Sequence, residues 1–277
     1  MIRAAILTLL LIAAGVLLTL PAAAGRFADI DDYRTVVLWG IPGLALVLSL
    51  AFFPRLAPPP GESPSGPARR RLLLLAGCAV AFVLDQSFLV LGYLTDWATF
   101  TSSSQEPPAG RLALTILWAL PLCLVLGIWG WERALRGAVY TGWRRWLPVP
   151  AALALSVVAG LALALPPILP GGEVRDLPFV TAAVTAVLCR EISFLLLFSR
   201  GGGLLVAGLY RGVLWFVEAF VVTDWYSLYF PACNYVAGDP LFYAARAAGA
   251  LLALAVIVTV ARPERREASL GAEEEAA

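Results

Sequence analysis

Apolar residues run along this chain in eight stretches of about twenty, separated by short polar or Pro-rich segments. At a rise of 1.5 Å per residue, a helix of that length crosses about 30 Å of hydrocarbon. The pattern predicts an all-α bundle of eight transmembrane helices at about residues 4–25, 35–53, 72–95, 112–131, 146–165, 179–198, 203–222 and 241–261. Together they form a single transmembrane domain over residues 1–262. Residues 263–277, through Glu273-Glu274-Glu275, read as a disordered acidic tail. No period of 20 to 50 residues repeats.

The breaks between stretches have their own chemistry. The first stretch follows Arg3 and ends near Pro21-Ala22-Ala23-Ala24, which also resembles a signal-peptide cleavage site. It is longer than a signal peptide needs, so a retained helix is the expectation. A Pro-rich loop over residues 54–68 ends in Arg69-Arg70-Arg71 and cannot be helical. Residues 101–110 are polar, Pro121 marks a kink in the fourth helix, and Pro166-Pro167 stop the fifth. Ser199-Arg200-Gly201-Gly202-Gly203 joins the sixth helix to the seventh.

Composition excludes a soluble domain: 60% of residues are hydrophobic, 14% are charged, and the mean hydropathy is +0.83. The twenty basic residues are all arginine. Without lysine there is no retinal or pyridoxal Schiff base; without histidine there is no His-ligated haem, chlorophyll or zinc and no histidine general base. No cofactor and no metal are expected. Cys78, Cys123 and Cys189 fall in apolar stretches and Cys233 in a polar loop, which is neither a disulfide framework nor a metal spacing.

With eight spans, one side of the bilayer collects Arg3, Arg55, Arg69, Arg70, Arg71, Arg133, Arg136, Arg144, Arg145, Arg200, Arg262, Arg265 and Arg266. The other has Arg26, Arg34, Arg111 and Arg175 among Asp29, Asp31, Asp32, Asp96, Glu106, Glu173, Asp176, Asp224 and Asp239. This imbalance places both termini in the cytoplasm. Trp129, Trp131, Trp143 and Trp146 fit an inner aromatic belt, and Trp97, Trp225, Tyr226 and Tyr229 an outer one. The excess of Ala, Arg, Gly and Leu points to GC-rich codon usage and a bacterial inner (plasma) membrane, with the lipid bilayer as the first partner.

Ionisable residues inside the spans are the candidate functional groups. A charge at the centre of a spanning helix costs about 2.5–3.5 kcal/mol on insertion scales, so such residues are paired, hydrated or functional. Arg190 and Glu191 are about 10–12 Å from the inner boundary, Arg211 about 15 Å and Asp85, beside Gln86, about 20 Å. These four can meet and sum to zero charge. Glu218 and Arg246, both toward the outer boundary, form a second candidate pair. Glu132 and Arg136, spaced i, i+4 at the inner end of the fourth helix, form a third. Such pairs either lock helix packing or line a polar path or cavity.

The segment Trp131-Glu132-Arg133-Ala134-Leu135-Arg136-Gly137 resembles the Glu-Glu-x-x-x-Arg-Gly motif that ends the fourth of eight helices in the CAAX-protease and bacteriocin-processing (CPBP, or Abi) family of intramembrane proteases. Leu209-Tyr210-Arg211-Gly212-Val213-Leu214-Trp215-Phe216, after a Gly-rich turn, is similar to the family's seventh helix with its His-x-x-x-Asn. The resemblance covers about residues 112–222 and implies a protease-like bundle with Glu132 and Arg136 as surviving catalytic positions. Trp131 replaces the first glutamate, Arg211 the histidine and Trp215 the asparagine, and the family's Phe-x-x-x-His of the fifth helix is absent. The resemblance therefore implies a pseudo-protease that acts through binding or assembly, with Glu132, Arg136 and Arg211 lining the ancestral cavity. Activity, if retained, would be that of a glutamate-dependent, metal-independent peptidase.

Leu188-Cys189-Arg190-Glu191-Ile192-Ser193-Phe194 resembles the C-terminal part of ABC-2-type permeases. That implies a transport subunit in which Asp85, Arg190, Glu191 and Arg211 mark the polar path. The chain has no P-loop, so a separate ATPase would be its partner. A structural subunit of a larger membrane complex, packing Trp118, Trp215 and the small residues of the fifth and eighth helices on partner proteins, is a further alternative. Nucleic acid is not expected as a partner, since topology and anionic lipid account for the arginines.

Overall fold

A computed structural model describes residues 1–19, 39–55, 68–102, 108–164, 177–223, 233–237 and 239–262. The helices the apolar stretches predict are present in order: α1 (Ile2–Thr19), α2 (Ile41–Phe52), α3 (Ala68–Leu94), α4 (Pro108–Val125, continuing through Leu126–Tyr140 and Thr141–Arg144), α5 (Val149–Ala164), α6 (Leu177–Leu197), α7 (Gly203–Phe216, continuing through Val217–Val221) and α8 (Pro240–Val260). The helical stretches Ala68–Leu94, Ile116–Arg144, Leu177–Phe220 and Pro240–Val260 are long and apolar enough to cross a membrane. The apolar helices Ile2–Leu18, Ile41–Phe52 and Val149–Ala164 are shorter; the twelve residues of α2 reach about 18 Å.

The 44-residue stretch Leu177–Phe220 is two helices, because Gly201 at φ 94° and Gly203 at φ 64° break the ladder. These are left-handed values that glycine tolerates without a Cβ penalty, so the chain turns back there and α6 and α7 form a hairpin.

The fourth helix departs from expectation. It does not end at Trp131 but runs on to Arg144, and over Leu126–Tyr140 its turns widen to the π form. At the end of that stretch the Thr141 N–H bonds the carbonyls of Arg136 and Ala138, and Thr141 Oγ1 donates to the Gly137 carbonyl. Glu132 and Arg136 therefore lie well inside a spanning helix rather than at its inner boundary. Pro121 is accommodated within α4. Arg69, Arg70 and Arg71 belong to the first turns of α3 rather than to the preceding loop.

One end of the bundle gathers arginines. There Arg70 Nη2 donates to the carbonyl of Arg262 at 2.9 Å, capping the end of α8 from the start of α3. Arg133 Nη2 reaches the carbonyls of Phe53 and Pro54 at 3.1 and 3.2 Å, just past the end of α2. The opposite end carries an addition to the all-α plan, a three-stranded sheet of β1 (Ala98–Ser102), β2 (Val222–Thr223) and β3 (Cys233–Ala237) in the order β1-β3-β2. β1 pairs antiparallel with β3, Ala98 opposite Ala237, and β2 pairs parallel with it. Asp239 then caps α8, its Oδ1 accepting from the Leu241 N–H at 2.8 Å with Pro240 at the first helical position.

The distribution of side chains inverts that of a soluble protein. Leu9, Val47, Val83, Leu117 and Leu177 face outward, while Asp85, Glu132, Arg136, Glu191, Arg211 and Arg246 are buried. Apolar residues outside and charges inside suit a molecule whose solvent is hydrocarbon. The fold is a membrane-embedded, all-α bundle. Two apolar cores involve α4: one gathers its Tyr140 with Leu74, Phe194, Leu197, Tyr210 and Ile257, the other its Leu135 and Val139 with Leu7, Leu11, Ile41 and Leu163.

Two other expectations are revised. Arg136 does not belong to the inner arginine girdle, because it is fully buried in the bundle. Trp131 is buried in the bundle rather than set in an aromatic belt: it meets Trp215 at 6.5 Å between ring centroids, and Trp215 also packs on Trp39 at 5.6 Å. The cleavage-like Pro21–Ala24, the Pro-rich residues 56–67, Cys233's side chain, the tail 263–277 and most acidic residues assigned to the outer side lie outside what is described.

Candidate functional site

The intramembrane charges meet in two clusters, set back to back on α6. Arg190 and Glu191 are consecutive, so their side chains leave the helix about 100° apart and serve different neighbours.

Glu191 belongs to the first cluster. Its Oε1 accepts from Arg211 Nη2 of α7 at 2.7 Å, and its Oε2 accepts from Arg136 Nη2 of α4 at 2.7 Å. The same Arg136 nitrogen reaches the Glu191 carbonyl at 2.8 Å. Arg211 Nε donates to Glu132 Oε1 of α4 at 2.7 Å, and Arg136 Nε lies 3.5 Å from Glu132 Oε2. Two carboxylates and two guanidiniums thus alternate around a closed ring, with side-chain exposures of 0% for Glu132 and Arg136, 1% for Glu191 and 8% for Arg211. Net charge is zero, as desolvated ions require. The Arg211 guanidinium also lies over Phe194, 4.1 Å from its centroid, and over Trp131 at 5.1 Å.

The loosest corner is the one between Glu132 and Arg136. Glu132 Oε2, Arg136 Nε and Arg136 Nη1 are buried without a hydrogen-bond partner, and the 3.5 Å contact between the first two is an ion pair too long for a hydrogen bond to a carboxylate.

Small residues create the ring. Gly208-x-x-x-Gly212 brackets Arg211 on α7, and a Cβ at Gly212 would stand 2.8 Å from the Cys123 carbonyl oxygen of α4. At Gly208 it would stand 2.5 Å from the Ile128 Cα. α7 therefore lies backbone to backbone on α4, which carries Arg211 to Glu132. On the other side, a Cβ at Gly160 of α5 would stand 2.2 Å from Glu191 Oε2, so that glycine holds the space the carboxylate fills. Ser156 Oγ donates to the Leu135 carbonyl at 3.0 Å and ties α5 to α4 beside the ring.

Arg190 organises the second cluster. Its Nε and Nη2 donate to Asp85 of α3 at 3.1 and 2.6 Å, and its Nη1 and Nη2 donate to the two oxygens of Glu218 on α7, both at 2.7 Å. Gln86 Nε2 donates to Asp85 Oδ2 at 2.9 Å. Arg246 Nη2 of α8 stands 3.5 Å from Glu218 Oε1, with its guanidinium 5.5 Å from the centroid of Phe88. Glu218 lies in the π-helical end of α7 and its side chain is 30% exposed.

Depth along the chain suggests one group of Asp85, Arg190, Glu191 and Arg211. The structure instead divides it into Asp85 with Arg190 and Glu191 with Arg211. Glu218 joins Arg246 but binds Arg190 more closely, and Glu132 with Arg136 joins Glu191 and Arg211 rather than standing apart. Gly208 and Gly212, not among the residues expected to matter, form a visible small-xxx-small motif around Arg211. Gly160, Ser156 and Phe194 leave no local signal.

Among the described residues no three of Cys, Asp and Glu are placed to hold a metal ion. Cys78, Cys123 and Cys189 are buried free thiols. Chemically, the first cluster offers carboxylates flanked by guanidiniums, which donate hydrogen bonds but accept neither bonds nor protons.

No family model matches the chain, and neither a curated protein nor a solved structure matches it.

Proposed function

We propose that this chain is a multi-pass protein of the bacterial inner membrane, with eight spans and both termini cytoplasmic, and that it is a CPBP-like pseudo-protease acting through binding or assembly. One observation carries this reading. Glu132, the residue that would activate water, is fully buried, and its Oε1 is bonded at 2.7 Å to Arg211, which stands at the histidine position of the family motif. A general base needs hydrogen-bond reach to a water and a neighbour able to relay the proton; a guanidinium cannot be that neighbour. What remains is a charge ring joining α4, α6 and α7 into a rigid platform. Orientation rests on the arginine-rich end, where removing Arg136 from the count leaves the imbalance intact.

The test is turnover of a quenched fluorescent peptide by the full chain in nanodiscs, together with cross-linking and purification from native membranes. The expected result is no hydrolysis and a recurrent membrane-protein partner. Hydrolysis abolished by Glu132→Gln overturns the inert reading.

The permease-type alternative is favoured by a different observation: through Arg190 and Glu191 the two clusters form one run of charge from Arg136 to the partly exposed Glu218. Co-purification of an ATPase whose turnover depends on this chain would select it.

A further inference from the structure

At the arginine-rich end, the start of α1, the end of α2 and the end of α4 enclose an open pocket of about 1050 Å³. Its lining includes three exposed arginines from three separate segments, Arg3, Arg55 and Arg145, and, among the described residues, no acidic one. Beside them lie Ile2, Phe52, Phe53 and Trp146; Ile2 is 71% and Trp146 63% exposed. A topological excess of arginine does not by itself require a cavity, and a cavity in apolar protein does not require three cations at its walls.

The two features together describe a receptor for an amphiphile. From this geometry we infer a binding site for an anionic phospholipid, its phosphate held by Arg3, Arg55 and Arg145 and an acyl chain laid on Ile2, Phe52 and Trp146. The walls are held in place independently of any lipid. Arg133 fixes the end of α2 through the Phe53 and Pro54 carbonyls, and Trp143 Nε1 donates to Thr8 Oγ1 of α1 at 3.0 Å. A Cβ at Gly142 would stand 3.0 Å from the Ala4 Cβ and 3.1 Å from Phe53 Cζ, so the pocket floor is close-packed. Guanidiniums suit phosphate oxygens because their fork of donors binds two at once. An indole at the rim suits the interface between headgroup and acyl chain.

The inference goes beyond the proposed function and does not depend on it. Its test uses the full chain in a neutral detergent, with phosphatidylglycerol, phosphatidylcholine or inorganic phosphate added, and reads thermal stability and lipid adducts by native mass spectrometry. Phosphatidylglycerol is expected to raise the melting temperature and leave a bound adduct, while phosphatidylcholine and inorganic phosphate do neither. In Arg3→Gln/Arg55→Gln/Arg145→Gln the apparent affinity for phosphatidylglycerol should fall about tenfold or more. In Arg69→Gln/Arg200→Gln/Arg262→Gln, which removes the same charge from exposed positions at the same end, it should stay within about twofold. Equal loss in both triples would mean diffuse surface charge rather than a site. An equal response to inorganic phosphate would mean an anion site without lipid selectivity. Either result overturns the inference.

Discussion

The two charge clusters share a helix and a balance of two acids with two arginines but differ in closure. The ring of Glu132, Arg136, Glu191 and Arg211 is sealed, with no side chain more than 8% exposed. The cluster around Arg190 has Glu218 at 30% exposure and a long 3.5 Å link to Arg246. In the sealed ring each ion depends on its neighbours for all the stabilisation that water would otherwise supply. In the open cluster water shares the work. The sealed ring should therefore behave as a structural lock that tolerates no vacancy, and the open cluster as the part able to exchange partners.

The sharpest way to break this contrast is Arg211→Ala, which leaves Glu132 and Glu191 buried with Arg136 as their one shared counter-ion in the ring. It should cost about 3–5 kcal/mol, seen as a large drop in thermal stability in detergent. A loss no greater than that of an outer-cluster variant would erase the distinction. Next is Gly212→Ala, whose methyl group collides with the α4 backbone and pulls Arg211 away from Glu132. The expected cost is about 1–3 kcal/mol, and a double-mutant cycle with Glu132→Gln should show strong coupling. Glu218→Gln keeps the shape of the outer cluster and removes its exposed charge, with an expected cost of about 1.5 kcal/mol. Added salt should shrink that cost, whereas the Arg211 effect should resist salt. Smallest is Arg70→Ala, which removes an exposed hydrogen bond to the Arg262 carbonyl; about 0.5 kcal/mol is expected, with faster amide exchange confined to the last turn of α8.

The helices were legible because hydrocarbon demands long apolar runs, and their order and approximate limits follow from that demand. The turn at Gly201–Gly203 was legible for a similar reason, as few other residues adopt those angles. Charge pairing was not. Depth along a helix says nothing about rotation around it, so Arg190 and Glu191 read as one site when they face two. Arginine's long side chain then lets Arg190 reach Asp85 and Glu218 from a different level. The extent of α4 was hidden because Glu132-Arg133-Ala134-Leu135-Arg136 reads as a membrane boundary; its charges are tolerated inside only because α6 and α7 supply the counter-ions. The small sheet was missed because its strands are only two to five residues long and lie in segments that read as polar connections.

The glycine turn between α6 and α7 also bears on how charge is carried inside hydrocarbon. Four charges lie within its two helices, and they match across the pair: Arg190 with Glu218, and Glu191 with Arg211. Alone, each helix would carry an acid and a base that lack the counter-ions the other helix supplies. As a folded pair, the two helices are nearly self-neutralised without the counter-ions of α3, α4 or α8. The tight reversal at Gly201 and Gly203 holds the two helices side by side, so the hairpin meets hydrocarbon with matched rather than isolated charges.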